Sequence, residues 1–230
     1  MQNDFRLGII GAMQSEVDGI VAAMTDTASE VIGGRTFVSG KLCGKEVVVT
    51  GSGVGKVFAA MAAEILLLRF GVSALLNTGV AGGLEPSLTV GDVVVADAVV
   101  QHDMNTTALG DPRGLISGPN VVKIPTDKAL TAALAAATRA EGLHTRMGTV
   151  ASGDLFVAKP AHKEKIRAEF DAVACEMEGA AIGQVAYAHG VPFAVLRAIS
   201  DGGDGMEFTQ FVRLAAERSI RVTLRFVGDL

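Results

Sequence analysis

Two acidic motifs follow apolar runs in this chain. In residues 173–179 (VACEMEG), Glu176 and Glu178 flank a methionine at the end of an apolar stretch, and residues 193–203 form a strand-like run that ends at Asp201 and two glycines. Ligands of open α/β sheets bind beyond the carboxyl ends of the strands, so acidic groups there are candidates for proton transfer or sugar binding. For the two glutamates a structural role is an equal alternative, because acids also stabilise the N-terminus of a following helix.

Three glycine-rich turns follow other apolar runs. Residues 50–57 (TGSGVGKV) resemble a phosphate-binding P-loop, but threonine and valine stand where that pattern needs glycine and Ser/Thr. Residues 8–13 begin like a dinucleotide-binding loop but lack its third glycine and its later acid. In residues 77–83 (NTGVAGG), the glycines either let backbone N–H groups approach a ligand or simply close a tight strand exit. Together the turns indicate a common cleft, without specifying its ligand.

Apolar runs alternate with segments of helical period, which is the pattern of an α/β fold. We predict strands at residues 7–10, 36–39, 46–50, 74–78, 92–100, 149–152, 172–175 and 193–200. We predict helices at residues 15–24, 56–69, 126–141, 163–170, 178–189 and 207–226. The chain contains neither an internal repeat nor a linker, so we expect one domain over residues 1–230.

The composition excludes several classes of protein. A 49% hydrophobic chain with 28 glycines suits a buried sheet covered by helices. The net charge of −5 and the lack of a Lys/Arg-rich stretch argue against a nucleic-acid partner. No apolar run is long enough to cross a bilayer, and the N-terminus lacks the pattern of a signal peptide. We therefore expect a cytoplasmic protein without a membrane partner.

The cysteines and histidines do not form a metal-binding pattern. Cys43 and Cys175 lie in strand-like segments, and we expect both to be buried apolar side chains without a disulfide. The four histidines lack the spacing of a helical zinc pair, and the chain has no CxxC motif. The sequence predicts neither a metal nor another cofactor.

Six motifs are more specific in combination than alone. They occupy residues 8–17, 77–83, 90–94, 151–156, 176–179 and 197–201. In this order they closely resemble the 5′-methylthioadenosine/S-adenosylhomocysteine nucleosidases of the nucleoside phosphorylase superfamily, from Gly8 to the C-terminal helix. The resemblance implies a single-domain, three-layer α/β fold with a mixed central sheet flanked by helices. It also implies a homodimer.

The implied reaction is hydrolysis of the N-glycosidic bond of methylthioadenosine and S-adenosylhomocysteine, which releases adenine and a 5-thio-substituted ribose. Such a bond breaks through an oxocarbenium-like transition state, and adenine leaves readily only when its ring is protonated. By resemblance, Asp201 is the general acid that serves N7, supported by Ser200, and Glu16 is the general base that activates water. An apolar strand before Asp201 makes burial plausible, and burial favours the protonated form of a carboxyl group.

The resemblance also implies the residues that bind substrate. Glu178 matches the glutamate that accepts hydrogen bonds from the ribose, and Met177 packs against the sugar. Phe156 stacks on adenine, and the backbone of Val157 holds the purine edge. Arg197 orients the water or the Glu178 carboxylate. The other implied substrate-binding positions are Met13, Val80, Ala81, Gly82 and Phe208.

Other functions remain as alternatives. Phosphorylases of the superfamily need cations for phosphate, whereas residues 12–16 contain one carboxylate and no cation, which favours water as the nucleophile. A non-catalytic nucleoside-binding protein is disfavoured because Glu16, Glu178 and Asp201 are all present. Hydrolysis of 6-amino-6-deoxyfutalosine, alone or in addition, is the main alternative.

Three positions depart from the commoner pattern of the family. Val80 stands where serine is frequent, and Leu109 replaces a frequent aromatic residue in a loop that reaches the partner's active site. Residues 202–206 are short and glycine-rich; with Phe208 behind them they would shape the pocket for the 5′ substituent and act as a lid. These changes leave the selectivity for the 5′ substituent open.

Several residues also have simpler interpretations. Phe156 and Met177 are candidates for the core, and Glu16 alone would be an ordinary exposed helix residue. Asp154 fits a turn or a supporting contact. The pair formed by His102 and Asp103 fits a surface or interface loop better than a proton relay.

Overall fold

The computed structural model describes residues 5–201 and 205–230, and residues 205–207 only as part of a helix. These residues form the strands β1 Arg6–Gly11, β2 Thr25–Ile32, β3 Arg35–Leu42, β4 Lys45–Gly51, β5 Ala74–Gly83, β6 Val93–Gln101, β7 Lys123–Pro125, β8 Thr145–Ser152, β9 Ala172–Glu176 and β10 Phe193–Asp201. They also form the α-helices α1 Gln14–Ala22, α2 Lys56–Phe70, α3 Lys128–Ala140, α4 Pro160–Phe170, α5 Gly179–His189 and α6 Gly205–Asp229. A short 3₁₀ turn covers Thr107–Leu109.

One mixed sheet contains all ten strands, in the order β10-β6-β8-β9-β5-β1-β4-β3-β2, with β7 beside β6. Strands β4, β1, β5 and β10 pair in parallel in that order, and β2, β3 and β4 form an antiparallel meander. Strands β6, β8 and β9 are parallel to one another, but β6 is antiparallel to β10 and β9 is antiparallel to β5. Strand β5 also pairs with β10, so β5, β10, β6, β8 and β9 close into a circuit. The carboxyl ends of the parallel strands therefore surround one region of the molecule.

Helices cover both faces of the sheet and complete three layers. Ile20 of α1, Leu134 of α3 and Phe226 of α6 pack into one hydrophobic cluster. Leu66 of α2 and Ile182 of α5 pack into a second cluster on other residues of the same strands. Adjacent strand residues belong to different clusters because side chains alternate across a sheet. The predicted α/β fold is confirmed.

Each predicted helix and strand overlaps an observed one, but two strands and one cysteine differ from the predictions. Strand β2 was missed because almost all of its side chains are exposed, so it carries no apolar alternation. Strand β7 was missed because it has only three residues. Cys43 is exposed, contrary to the expectation of a buried side chain, because it lies in the turn between β3 and β4; Cys175 is buried, and both are free thiols.

We expect the packing of α6 to account for a large part of the stability. Phe226 is 1% exposed, so Phe226→Ala should lower the free energy of unfolding by about 3–5 kcal/mol through lost burial and a cavity. Leu214→Ala on the same helix, where the side chain is 41% exposed, should cost no more than about 1.5 kcal/mol. Guanidinium chloride unfolding at one protein concentration measures both variants. Equal losses would contradict this account of the core.

Candidate active site

The ends of strands β5, β9 and β10 meet the N-terminus of α1 and the segment after β8 at one cavity. The cavity holds about 560 Å³ of atom-free space, including its opening to solvent. Thirteen of the fourteen predicted site residues line it, and only Leu109 does not: Met13, Glu16, Val80, Ala81, Gly82, Phe156, Val157, Met177, Glu178, Arg197, Ser200, Asp201 and Phe208. Its further lining residues are Ala12, Val54, Leu155, Cys175 and Glu176.

Glu16 is buried at the N-terminus of α1, not exposed on its surface. Its Oε2 accepts hydrogen bonds from the backbone N–H groups of Ala12 and Met13, both at 2.7 Å, and its Oε1 accepts one from Val80 at 2.9 Å. Burial raises the pKa of Glu16, while the Arg197 charge and these N–H donors oppose the shift. The carboxylate is thus held in one orientation as a stronger base than an exposed glutamate.

Glu178 lies at the N-terminus of α5 with its carboxylate buried in the cavity. Its Oε1 accepts a hydrogen bond from the Gly55 N–H at 2.9 Å, and its Oε2 lies 3.6 Å from the Arg197 guanidinium. The pKa of Glu178 is raised to about 7, mainly by burial and secondly by the nearby charge of Glu176. The Arg197 charge and the Gly55 N–H lower the pKa but do not cancel this shift. The protonation of Glu178 therefore changes near neutral pH.

Glu176 and Arg197 form a buried ion pair that is not apparent from the sequence. Arg197 donates to the carboxylate of Glu176 and to the side-chain oxygen of Asn77, and it reaches the Val80 carbonyl at 3.2 Å. The same carboxylate accepts from the Ser152 hydroxyl. With Arg197 only 1% exposed, breaking this pair would strand a charge away from water. Glu176 is thus an internal partner, and its signal in the sequence was an acid at the end of a buried strand.

Asp201 is buried at the end of β10. The Ser200 hydroxyl donates to Asp201 Oδ2 at 2.7 Å, and a Cβ added at Gly82 would lie 3.2 Å from Asp201 Oδ1. The pairing of β5 with β10 places Gly82 opposite Asp201. The glycine thus lets the backbone of β5 pass close to the carboxyl group.

Two aromatic side chains form one wall of the cavity. The rings of Phe156 and Phe208 meet edge to face, with centroids 5.4 Å apart and an interplanar angle of 75°. Phe156 remains 46% exposed, so it is not a core residue. Met177, by contrast, is partly buried beside Glu178. An apolar wall and buried carboxylates in one cavity suit a ligand that has one flat apolar part and one hydroxylated part.

The N-terminus of α2 does not form a phosphate cradle. Its Gly55 N–H binds Glu178, and its Lys56 N–H binds Asp154 Oδ1 at 2.8 Å. The Lys56 ammonium binds Asp103 Oδ1 at 2.7 Å. Carboxylates of the chain itself therefore occupy the donors that a P-loop offers to phosphate, which explains why the sequence pattern was misleading.

Two predicted features lie apart from the cavity. Leu109 is 81% exposed in the 3₁₀ turn, so this chain alone does not bring it to the site. Of the proposed lid at residues 202–206, residues 202–204 lie outside the described part of the chain. The ranges 5–201 and 205–230 contain no helix that could span a membrane and no group of three or more acidic, histidine or cysteine side chains arranged to hold a metal ion.

Comparisons with known proteins identify the family. A family model described as "Phosphorylase superfamily" matches residues 6–228. The 5′-methylthioadenosine/S-adenosylhomocysteine nucleosidase of Actinobacillus succinogenes is 40% identical, over 98% of this chain and 99% of that protein. The chain belongs to this nucleosidase family of the phosphorylase superfamily.

Solved structures agree with this assignment. The S-adenosylhomocysteine nucleosidase of Streptococcus pyogenes, solved with 5-methylthiotubericidin, has a TM-score of 0.95 and 35% identity, over 100% of this chain and 98% of that one. A futalosine hydrolase of Helicobacter pylori also has a TM-score of 0.95 and 35% identity, over all of both chains. Both the resemblance and the predicted phosphorylase-like fold are confirmed.

The raised pKa of Glu178 predicts a dependence of stability on pH. Between about pH 5 and about pH 7 the native state keeps a proton that the unfolded state releases, so stability should fall as pH rises through this window. Glu178→Gln removes this contribution. We expect the free energy of unfolding to fall between about pH 5 and about pH 7 by at least about 1 kcal/mol more in the wild type than in the variant. Urea unfolding at both pH values measures this difference.

The control for this prediction is Glu217→Gln, which changes an exposed glutamate paired with Arg213 on α6. Its stability should follow the wild-type pH profile. If Glu178→Gln also follows that profile, Glu178 does not titrate in this range.

Proposed function

We propose that the protein hydrolyses the N-glycosidic bond of 5′-methylthioadenosine and S-adenosylhomocysteine, and releases adenine and the 5-thio-substituted ribose. The observation that carries this proposal is the convergence of Glu16, Glu178 and Asp201 in one cavity, each no more than 3% exposed. N-glycosidic cleavage needs an acid at the leaving base and a base at the water, with polar contacts to the sugar between them. The substrate class follows from the nucleosidases that the chain resembles over nearly its full length.

In the proposed mechanism the carboxyl groups have separate tasks. Asp201 donates a proton to N7 of adenine, while the Ser200 hydroxyl bonds its second oxygen and fixes the group. As the bond to C1′ breaks, Glu16 takes a proton from a water that attacks the developing oxocarbenium ion. Three backbone N–H donors keep Glu16 in place during this transfer.

The same mechanism assigns the binding residues. The Glu178 carboxylate accepts hydrogen bonds from the ribose hydroxyls, with Met177 packed against the sugar. Phe156 stacks on the adenine ring, and the backbone of Val157 contacts its edge. Arg197 acts on the nucleoside through the carboxylates around it, because its two terminal nitrogens bind Glu176, Asn77 and the Val80 carbonyl. The remaining contacts are assigned to Met13, Val80, Ala81, Gly82 and Phe208.

The charges of the cavity favour water over phosphate. Among the described residues that line it, Arg197 is the only cation, and a buried carboxylate already neutralises it. A phosphate dianion would meet Glu16 and Glu178 without a free cation, at a large electrostatic cost in a desolvated site. A neutral water has no such penalty.

Hydrolysis of 6-amino-6-deoxyfutalosine is the second candidate. It is supported by the likeness to the futalosine hydrolase of Helicobacter pylori, at 35% identity over the full chain. The same carboxylates would serve both reactions, since these differ in the group attached at the 5′ position.

Release of adenine in phosphate-free buffer tests the activity. Methylthioadenosine, S-adenosylhomocysteine, adenosine and aminofutalosine should be compared in one assay. We expect Glu16→Gln and Asp201→Asn to lower kcat by about 10²–10⁴, because each removes one proton transfer. Asp18→Asn, on the exposed side of α1, should retain wild-type activity. Turnover that requires added phosphate and yields a sugar 1-phosphate would overturn the hydrolase assignment.

We further propose a homodimer in which Leu109 of each subunit completes the partner's site. Support comes from exposed apolar side chains on α2: Val57, Met61 and Leu68 are 68%, 41% and 70% exposed and lie at helical spacing on one side of the helix. A stripe of this kind on a globular protein is typical of an interface. Leu109, at 81% exposed, is the largest apolar side chain of the 3₁₀ turn Thr107–Leu109.

Light scattering after gel filtration tests the dimer. The wild type should have twice the 23.7 kDa mass of the chain. Met61→Asp should shift the protein toward the monomer, because a charge would be buried in the interface.

The Leu109→Ala variant should remain dimeric. Its KM for methylthioadenosine should rise several-fold, because it loses about 1 kcal/mol of apolar contact with the substrate. A monomeric wild type with full activity would contradict the proposal.

A further inference from the structure

Three residues beside the cavity form a closed ring of hydrogen bonds. The Lys56 ammonium donates to Asp103 Oδ1 at 2.7 Å, and the Asp154 N–H donates to Asp103 Oδ2 at 2.9 Å. The Lys56 N–H closes the ring by donating to Asp154 Oδ1 at 2.8 Å. All three are described residues and none of them lines the cavity. Any effect of the ring on substrate must therefore pass through other residues.

One side of the ring holds the segment that carries the aromatic wall. Asp154 is the second residue of the segment 153–159, which contains neither helix nor strand, so no regular hydrogen-bond ladder fixes Phe156 and Val157. Asp154 is bonded through both its N–H and its carboxylate. Because Phe156 is nearly half exposed, its own packing supplies only part of the restraint.

The other side of the ring holds the N-terminus of α2. The first N–H groups of a helix lack partners within the helix and attract carboxylates. At the start of α2, two successive N–H groups bind carboxylates: the Gly55 N–H binds Glu178, and the Lys56 N–H binds Asp154. The ring thus sets the position of the Phe156 segment relative to the carboxylate assigned to the ribose.

The ion pair between Lys56 and Asp103 also stabilises the ring. The side chains of Lys56 and Asp103 are 19% and 28% exposed, so solvent screens their pair less than a surface pair. Burial alone would raise the pKa of Asp103, but the Lys56 ammonium and the Asp154 N–H lower it below its usual value. Asp103 therefore stays ionised at neutral pH and accepts both hydrogen bonds.

We propose that Lys56, Asp103 and Asp154 are positioning residues for the purine, which hold Phe156 and Val157 at a fixed place opposite Glu178. The inference rests on the proposed function, because it takes the purine to lie against Phe156. It gives a role to Asp103, which the sequence alone places in a surface or interface loop, and to Asp154, whose sequence position fits a turn or a supporting contact.

Calorimetric titration with adenine tests the proposal without turnover. Asp103→Ala and Asp154→Ala should bind adenine about ten-fold more weakly than the wild type. Asp154→Asn keeps an oxygen for the Lys56 N–H and should bind within about two-fold of the wild type. With methylthioadenosine, KM of the alanine variants should rise more than kcat falls, because stacking on Phe156 binds ground and transition states alike.

A control separates positioning from general stability. Glu141→Ala breaks the Arg221–Glu141 pair between α6 and α3, whose glutamate is 22% exposed, and it should bind adenine like the wild type. The Tm of the ring variants should fall no further than that of Glu141→Ala. If Asp103→Ala does not fold, the adenine affinities of Asp154→Ala and Asp154→Asn test the positioning role by themselves.

The outcomes distinguish this inference from the proposed function. If both alanine variants bind adenine with wild-type affinity, the positioning role of the ring is wrong, but the proposed function stands. The same holds if Asp154→Ala and Asp154→Asn weaken adenine binding equally. A wild-type protein that does not bind adenine would overturn the proposed function and this inference together.

Discussion

The site depends on one buried guanidinium among acidic side chains. Arg197 is almost fully shielded from water, and it contacts Glu176 directly and Glu178 at 3.6 Å. Removing ions from water is costly, and the cost is recovered only when each charge has close partners. Without the guanidinium, Glu16, Glu176 and Glu178 would repel one another in a region of low dielectric. With it, the cavity keeps its carboxylates, and its described lining residues include no free cation.

Helix N-termini supply the second part of this compensation. Glu16 accepts N–H groups at the start of α1, Glu178 accepts one at the start of α2, and Glu176 accepts the Glu178 and Gly179 N–H groups at the start of α5. Each helix follows a strand whose carboxyl end points to the cavity. The strand ends around the cavity therefore deliver both the acids and the backbone donors that hold them.

The fold was largely predictable because its signal is local. Buried strands such as β1 and β10 are continuous apolar runs, and helices such as α2 and α3 have the composition and length of helices. Strand β2 escaped notice because it borders the sheet and exposes nearly every side chain. The burial of Cys43 was predicted wrongly because a free cysteine is usually a buried apolar side chain, whereas this one lies in the exposed turn between β3 and β4.

The candidate site divides differently between sequence and structure. The sequence alone determined the family and the types and order of the site residues. It did so because the motifs around Glu16, Glu178 and Asp201 are each a short, unbroken and distinctive run of residues. Only the tertiary structure decided that Glu176 neutralises Arg197, and that Lys56 binds Asp103 instead of a phosphate. These pairings join residues from separate strands and helices, and the register of the sheet selects them. Because short motifs do not encode that register, partners of charged groups become visible only when the strand ends are brought together.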